Sequence, residues 1–134
     1  MSMSKKISNG GKEILLVEDD PFLIDIYTTK LKESGFAVEV ASDGESALRK
    51  IKEKEPDLVI LDIVLPQLDG WEILRQIKSD PKLKKIKIII LSNLGQKEEV
   101  EKGVELGATK YLIKAHYTPS QVVEEIKKIY GQQQ

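Results

Sequence analysis

The sequence contains no cysteine, which excludes disulfide frameworks, thiolate zinc sites and thiol nucleophiles and fits a reducing compartment. Neither sign of charge prevails: 21 Lys+Arg against 22 Asp+Glu leave a formal charge of −1, so no global field draws the chain onto nucleic acid or anionic lipid. No apolar run reaches the roughly 18 residues of a spanning helix. The segment Met1 to Lys12 is polar, where a secretory signal requires an apolar centre. A glycine-rich phosphate loop is also missing, so a nucleotide is not an evident ligand. These absences lead us to expect a cytoplasmic protein.

What is present suits one globular domain. The 134 residues are 40% apolar and 32% charged, the balance of an ordinary folded chain. Residues 1–11 hold few apolar groups and cannot offset the entropy of ordering, so they are expected to form a disordered tail. The domain is expected over 12–130, with a short tail at 131–134.

Hydrophobic patterning repeats one unit five times. Ile14-Leu15-Leu16-Val17 is an apolar run of the kind found in strands buried on both faces. It breaks at Glu18-Asp19-Asp20-Pro21, and Leu23, Ile26, Tyr27 and Leu31 then recur at helical spacing up to Ser34-Gly35. Ala37 to Ala41 alternates as an edge strand does, and Asp43-Gly44 opens a helix with Ala47, Leu48 and Ile51 on one side, ended by Pro56. Leu58 to Leu61, Ile86 to Leu91 and Tyr111 to Ile113 read as the remaining strands. Their helices carry Ile73, Leu74 and Ile77, then Val100 and Val104, then Val122, Val123, Ile126, Ile129 and Tyr130. Five strands alternating with five helices predict a doubly wound α/β fold with a parallel sheet, in which ligands bind beyond the carboxyl ends of the strands.

Those ends carry the chemistry. Glu18, Asp19 and Asp20 follow the first strand, Asp62 the third, Ser92 the fourth and Lys114 the fifth. Carboxylates brought within a few ångströms repel unless a cation or a raised pKa relieves them. Magnesium prefers oxygen donors and suits a group free of cysteine and histidine. A metal, Lys114 and the Ser92 hydroxyl would surround a phosphoryl group, and Asp62 has the carboxylate needed to form an acyl phosphate.

From Lys12 to about Tyr130 the chain resembles a response regulator receiver domain of two-component signalling, of the stand-alone chemotaxis-regulator type. The likeness rests on Ile14 to Asp20, on Leu61-Asp62-Ile63-Val64-Leu65-Pro66-Gln67-Leu68-Asp69-Gly70, on Ser92, and on Gly107-Ala108-Thr109-Lys110-Tyr111-Leu112-Ile113-Lys114. It implies a flavodoxin-like (βα)5 fold with strand order 2-1-3-4-5. It further implies that Asp62 accepts phosphate from a phosphohistidine of a sensor kinase or phosphotransfer protein. Asp19, Asp62 and the backbone carbonyl of Val64 would bind Mg²⁺ directly, with Glu18 acting through water. Lys114 would pair with the acyl phosphate, and Ser92 would move to meet a phosphoryl oxygen. Tyr111 would turn inward in response, signalling through the fourth helix, fifth strand and fifth helix to an unknown protein target, with no direct nucleic-acid partner. The protein would be a monomer or a phosphorylation-dependent dimer, and a switch with at most slow autodephosphorylation rather than a turnover enzyme.

Several residues depart from the pattern or admit plainer roles. Ala115 replaces the proline that usually follows the lysine, leaving either a cis non-proline bond, which costs roughly 2.5–4 kcal/mol, or a trans bond with a shifted Lys114. Asn93 replaces a small residue, which would narrow access to Asp62. Val64 and Leu94 are apolar and cannot orient an attacking water, so a long-lived phosphoryl group is expected. Val64 also stands where hydrolases of the haloacid dehalogenase type place a second Asp. Glu18-Asp19-Asp20 and Ser92 have helix capping as their plain alternative, Tyr111 and Trp71 have packing, and His116 is expected to be an ordinary loop residue.

Overall fold

The computed structural model describes residues 11–131; residues 1–10 and 132–134, which hold most of both expected tails, lie outside the described residues. Strands β1 (Glu13–Val17), β2 (Ala37–Ala41), β3 (Leu58–Leu61), β4 (Lys87–Ser92) and β5 (Lys110–Ile113) alternate with helices α1 (Pro21–Glu33), α2 (Gly44–Lys54), α3 (Gly70–Ser79), α4 (Lys97–Glu105) and α5 (Pro119–Ile129). The strands form one parallel sheet, as the patterning predicts, in the order β2-β1-β3-β4-β5 that the resemblance implies. Gly11, assigned above to the tail, is buried with φ 68°.

The apolar runs serve two cores because successive strand residues face opposite sides. Leu15, Val17, Val59, Leu61, Ile88 and Ile90 pack with Ala47 and Ile51 of α2 and with Ile73, Leu74 and Ile77 of α3. Ile14, Leu16, Leu58, Ile60, Ile89 and Leu91 pack with Tyr27 and Leu31 of α1 and with Val122, Val123 and Ile126 of α5. Each fully buried aliphatic side chain contributes about 1.5–3 kcal/mol through water exclusion. The apolar runs of β1, β3 and β4 are thus covered on both faces, whereas edge strand β2 exposes Ala37 and Glu39. There Lys50 Nζ donates to the Val40 carbonyl at 2.7 Å and Lys54 pairs with Glu39 at 3.1 Å, charging the open edge.

Aspartates start three of the helices. Asp20, Asp43 and Asp69 accept from backbone amides of the first turns of α1, α2 and α3, each cap contributing about 1 kcal/mol. The fourth helix is thinly buried, as its few apolar residues and Gly103 predict, but Val104 is not the anchor expected. Val104 is 57% exposed and only Gly103 of α4 is buried. The helix approaches the sheet through that glycine, against Tyr111 and Ile90, so its apolar contact with the core is narrow.

Candidate functional site

The ladder fixes two carboxylates side by side at the carboxyl edge of the sheet. Glu18 N donates to the Ala41 carbonyl and Asp62 N to the Val17 carbonyl, both at 3.1 Å, extending the β1 and β3 pairing one residue beyond each strand. Glu18 and Asp62 are consequently 2% and 6% exposed. Asp19, between Glu18 and the α1 cap, is exposed. One carboxylate oxygen from each of Glu18, Asp19 and Asp62 lies within 4.8 Å of the others. Asp20, adjoining this group in sequence, instead caps α1, accepting from Phe22 N at 2.9 Å. Helix capping thus explains Asp20 but not its two predecessors.

Lys114 neutralises the pair. Its Nζ donates to Asp62 Oδ2 at 2.7 Å and meets Glu18 Oε1 at 2.8 Å. Burial pulls the Lys114 pKa down, but the hydrogen bonds to Asp62 and Glu18 outweigh it and hold the ammonium above the ordinary lysine value. Burial raises the Glu18 carboxyl despite Lys114 and the amide of Asp20. No cis peptide bond occurs among the described residues, so Lys114-Ala115 is trans, and a short 3-10 turn, Lys114–His116, follows β5. The lysine still reaches Asp62, which removes the strain that Ala115 suggested. The Glu18–Lys114 contact was not anticipated; an acid closing a buried strand beside the cluster's lysine was the available signal.

Asp62 is held from its other side. Its Oδ1 accepts from Ile63 N at 2.7 Å and Val64 N at 3.4 Å. The loop beyond returns tightly, with Gly70 N donating to the Ile63 carbonyl at 2.9 Å. A Cβ at Gly70 would overlap the Asp62 carbonyl oxygen and stand 2.8 Å from Ile63 Cα, so only glycine permits this return. Val64 is 63% exposed beside this site.

Ser92 closes β4, fully buried, and its Oγ accepts from Leu94 N at 3.1 Å. It does not cap α4, whose N-cap is Gln96. Tyr111 is half-buried and donates its hydroxyl to the Leu94 carbonyl, on the loop that Ser92 begins. Burial and the nearby Glu99 raise its pKa, with Ser92 opposing and Asp62 adding to the rise. His116 is exposed, and Trp71 packs on the core with Lys102 Nζ 4.3 Å from its ring centre. A cleft of about 260 Å³ lined by Glu13, Val38, Lys50 and Lys54 lies away from these residues, at the β1–β2 edge, and gathers no comparable chemistry.

Three carboxylates offering only oxygen match a hard divalent cation, and Lys114 beside them matches an anion bound next to it. Among the described residues no helix is long and apolar enough to cross a membrane.

Residues 14–127 match the response regulator receiver domain. The chain is 34% identical over 121 residues to the chemotaxis protein CheY of Thermotoga maritima, covering 89% of this chain and 98% of that one. It is 38% identical over 121 residues to the alkaline phosphatase synthesis transcriptional regulatory protein PhoP of Bacillus subtilis. That match covers 89% of this chain and 48% of PhoP, and several other regulators that the chain matches are likewise spanned over half or less of their length. Among solved structures, a response regulator from Chloroflexus aurantiacus superposes with a TM-score of 0.81 at 30% identity, covering 90% of this chain and 98% of that one. The Mn²⁺-bound form of response regulator Rcp1 superposes with a TM-score of 0.78 at 31% identity, over 89% and 94%. Family match, strand order and near full-length coverage agree: the chain belongs to the response regulator receiver domains of two-component systems, which are signalling switches rather than turnover enzymes.

Proposed function

We propose that Asp62 is the phosphoacceptor of this receiver and that a phosphohistidine on a sensor kinase or phosphotransfer protein is its donor. A carboxylate oxygen of Asp62 attacks phosphorus, the N–P bond breaks, and the imidazole leaves with its electron pair. The observation that carries this reading is the convergence of Asp62 with Glu18, Asp19 and Lys114. Asp19, Asp62 and the Val64 carbonyl would hold Mg²⁺, with Glu18 acting through water. The ion would neutralise charge on the transferred phosphoryl oxygens.

Lys114 would pair with the acyl phosphate, and Ser92 would leave the Leu94 amide to donate to a phosphoryl oxygen, with Tyr111 following on the loop they share. The narrow contact of α4 supports α4–β5–α5 as the side that a phosphoryl group biases, and a few kcal/mol shifts a 1:99 population toward parity and beyond. Val64 and Leu94 offer no polar group to orient water, which supports slow hydrolysis. The reading also places the protein in the cytoplasm, where it meets a downstream protein target.

Mass measurement after incubation with Mg²⁺ and acetyl phosphate tests the acceptor. One phosphoryl adduct, persisting beyond seconds and absent in Asp62→Asn, is expected; no adduct, or an equal adduct in Asp62→Asn, overturns it. Transfer from a phosphorylated histidine protein then tests the donor.

A further inference from the structure

We propose that Gly44, which lies in a different βα unit from the phosphoacceptor, is a positioning residue for the metal site. By this assignment it clamps the β3–α3 loop so that the Val64 carbonyl is presented beside Asp62. The inference rests on the reading of Asp62 and Val64 given above.

Gly44 is the first residue of α2 and is buried. A Cβ placed there would overlap the Leu68 carbonyl oxygen and stand 2.6 Å from both the carbonyl carbon and Cβ of Leu68. Two of those atoms are backbone, so a side chain at position 44 cannot be accommodated by a rotamer change; the loop itself must move. The contact is also a hydrogen bond, since Gly44 N donates to the Pro66 carbonyl at 3.1 Å. The same carbonyl accepts Leu68 N at 2.9 Å, closing a tight turn around Gln67, whose φ is 75°. A non-glycine residue in that region is held there by its surroundings.

The clamp has a rigid base. Asp43 Oδ1 accepts from Ser46 N at 2.7 Å and fixes the start of α2, while Ala47 and Ile51 anchor the helix with no exposed surface. The near end of the loop is tied by Gly70 N to the Ile63 carbonyl at 2.9 Å. Between these two ties lies Val64, whose side chain is 63% exposed and supplies no anchor in the core. Its backbone position therefore depends on the ties at either side and on the bonds of Ile63 N and Val64 N to Asp62. Gly44 belongs to none of the βα units that carry the three carboxylates, yet by this assignment it fixes the loop that would carry the remaining oxygen ligand. Residues that orient metal ligands typically change affinity 10–100-fold when altered.

The test is Mg²⁺ titration by calorimetry on the full chain, with far-ultraviolet circular dichroism to confirm folding. Gly44→Ala is expected to bind Mg²⁺ about tenfold more weakly than wild type. Ile126→Val, which loosens α5 in the opposite core, is expected to lower the melting temperature and keep wild-type affinity. Wild-type affinity in folded Gly44→Ala, or an equal loss in Ile126→Val, overturns the inference. Where Gly44→Ala does not fold, Pro66→Gly decides: it relaxes the turn without a clash, and weaker binding supports the clamp while wild-type binding overturns it. A wild-type chain that binds no Mg²⁺ overturns the metal reading itself and the clamp with it, an outcome distinct from failure of the variants alone.

Discussion

Lys114 and Asp62, 52 residues apart in the chain, meet through a 2.7 Å hydrogen bond, and the same ammonium lies 2.8 Å from Glu18. One cation thus balances two carboxylates that are nearly buried. Lys114→Met leaves both unpaired, and removing one partner of such a group costs about 3–5 kcal/mol. Glu18 is already pushed up by burial and loses its main counterweight. The deficit relative to wild type is therefore expected to shrink as pH falls from neutrality, when the Glu18 carboxyl takes up a proton. Urea midpoints at several pH values check this; a constant deficit would contradict it.

Asp19 contributes repulsion without being buried. It belongs to the three-carboxylate group, but among the described residues only Glu18 and Asp62 of that group form an ion pair, sharing Lys114. Asp19→Ala is expected to raise the metal-free melting temperature by about 1–3 °C while abolishing Mg²⁺ binding. Thermal unfolding with and without the ion measures both effects, and unchanged Mg²⁺ affinity would contradict the ligand assignment.

Strands and site were legible for related reasons. Ile14 to Val17, Leu58 to Leu61 and Ile88 to Leu91 are apolar throughout because both faces are covered, and each run stops where polar residues reach the sheet edge. Those stops are Glu18, Asp62 and Ser92, so reading strand ends located the cluster. The fourth helix was less legible because side-chain polarity does not reveal backbone approach. Val104 looks like an anchor and is exposed, whereas Gly103 looks like a weakness and is the contact. Gly44 was visible only as the start of a helix, since the loop it meets lies in a different βα unit.

Gly103 brings α4 onto the Tyr111 ring. A Cβ there would stand 2.7 Å from Tyr111 Cδ2 and 2.8 Å from Ile90 Cδ1. Alanine inside a helix gains about 1 kcal/mol over glycine, but overpacking costs about 1–3 kcal/mol. Gly103→Ala is therefore expected to destabilise wild type by up to about 2 kcal/mol. In a Tyr111→Ala background the ring obstacle is gone and the penalty should shrink or reverse. A double-mutant cycle from denaturant unfolding gives the coupling; additive effects would show that ring and helix are independent.

Tyr130 caps the end of α5 with its ring 6.4 Å from that of Phe36, and its buried hydroxyl has no hydrogen-bond partner among the described residues. Burial, with the Asp57 carboxylate adding to it, pushes the phenol up to about 12. In the unfolded chain the phenol ionises near 10. Between these values the unfolded state has released a proton that the native state retains, so stability falls as pH rises from 10 to 12. Tyr130→Phe keeps the ring and removes the titration, so its alkaline loss should be smaller. It should not vanish, because burial also raises Tyr27 and Tyr111. At pH 7 the variant is expected to match wild type or exceed it by up to about 1 kcal/mol, since an unsatisfied buried hydroxyl disappears. Denaturant unfolding of both proteins at pH 7 and pH 11 tests the pair of statements, and an equal alkaline loss in Tyr130→Phe would place the titrating group elsewhere.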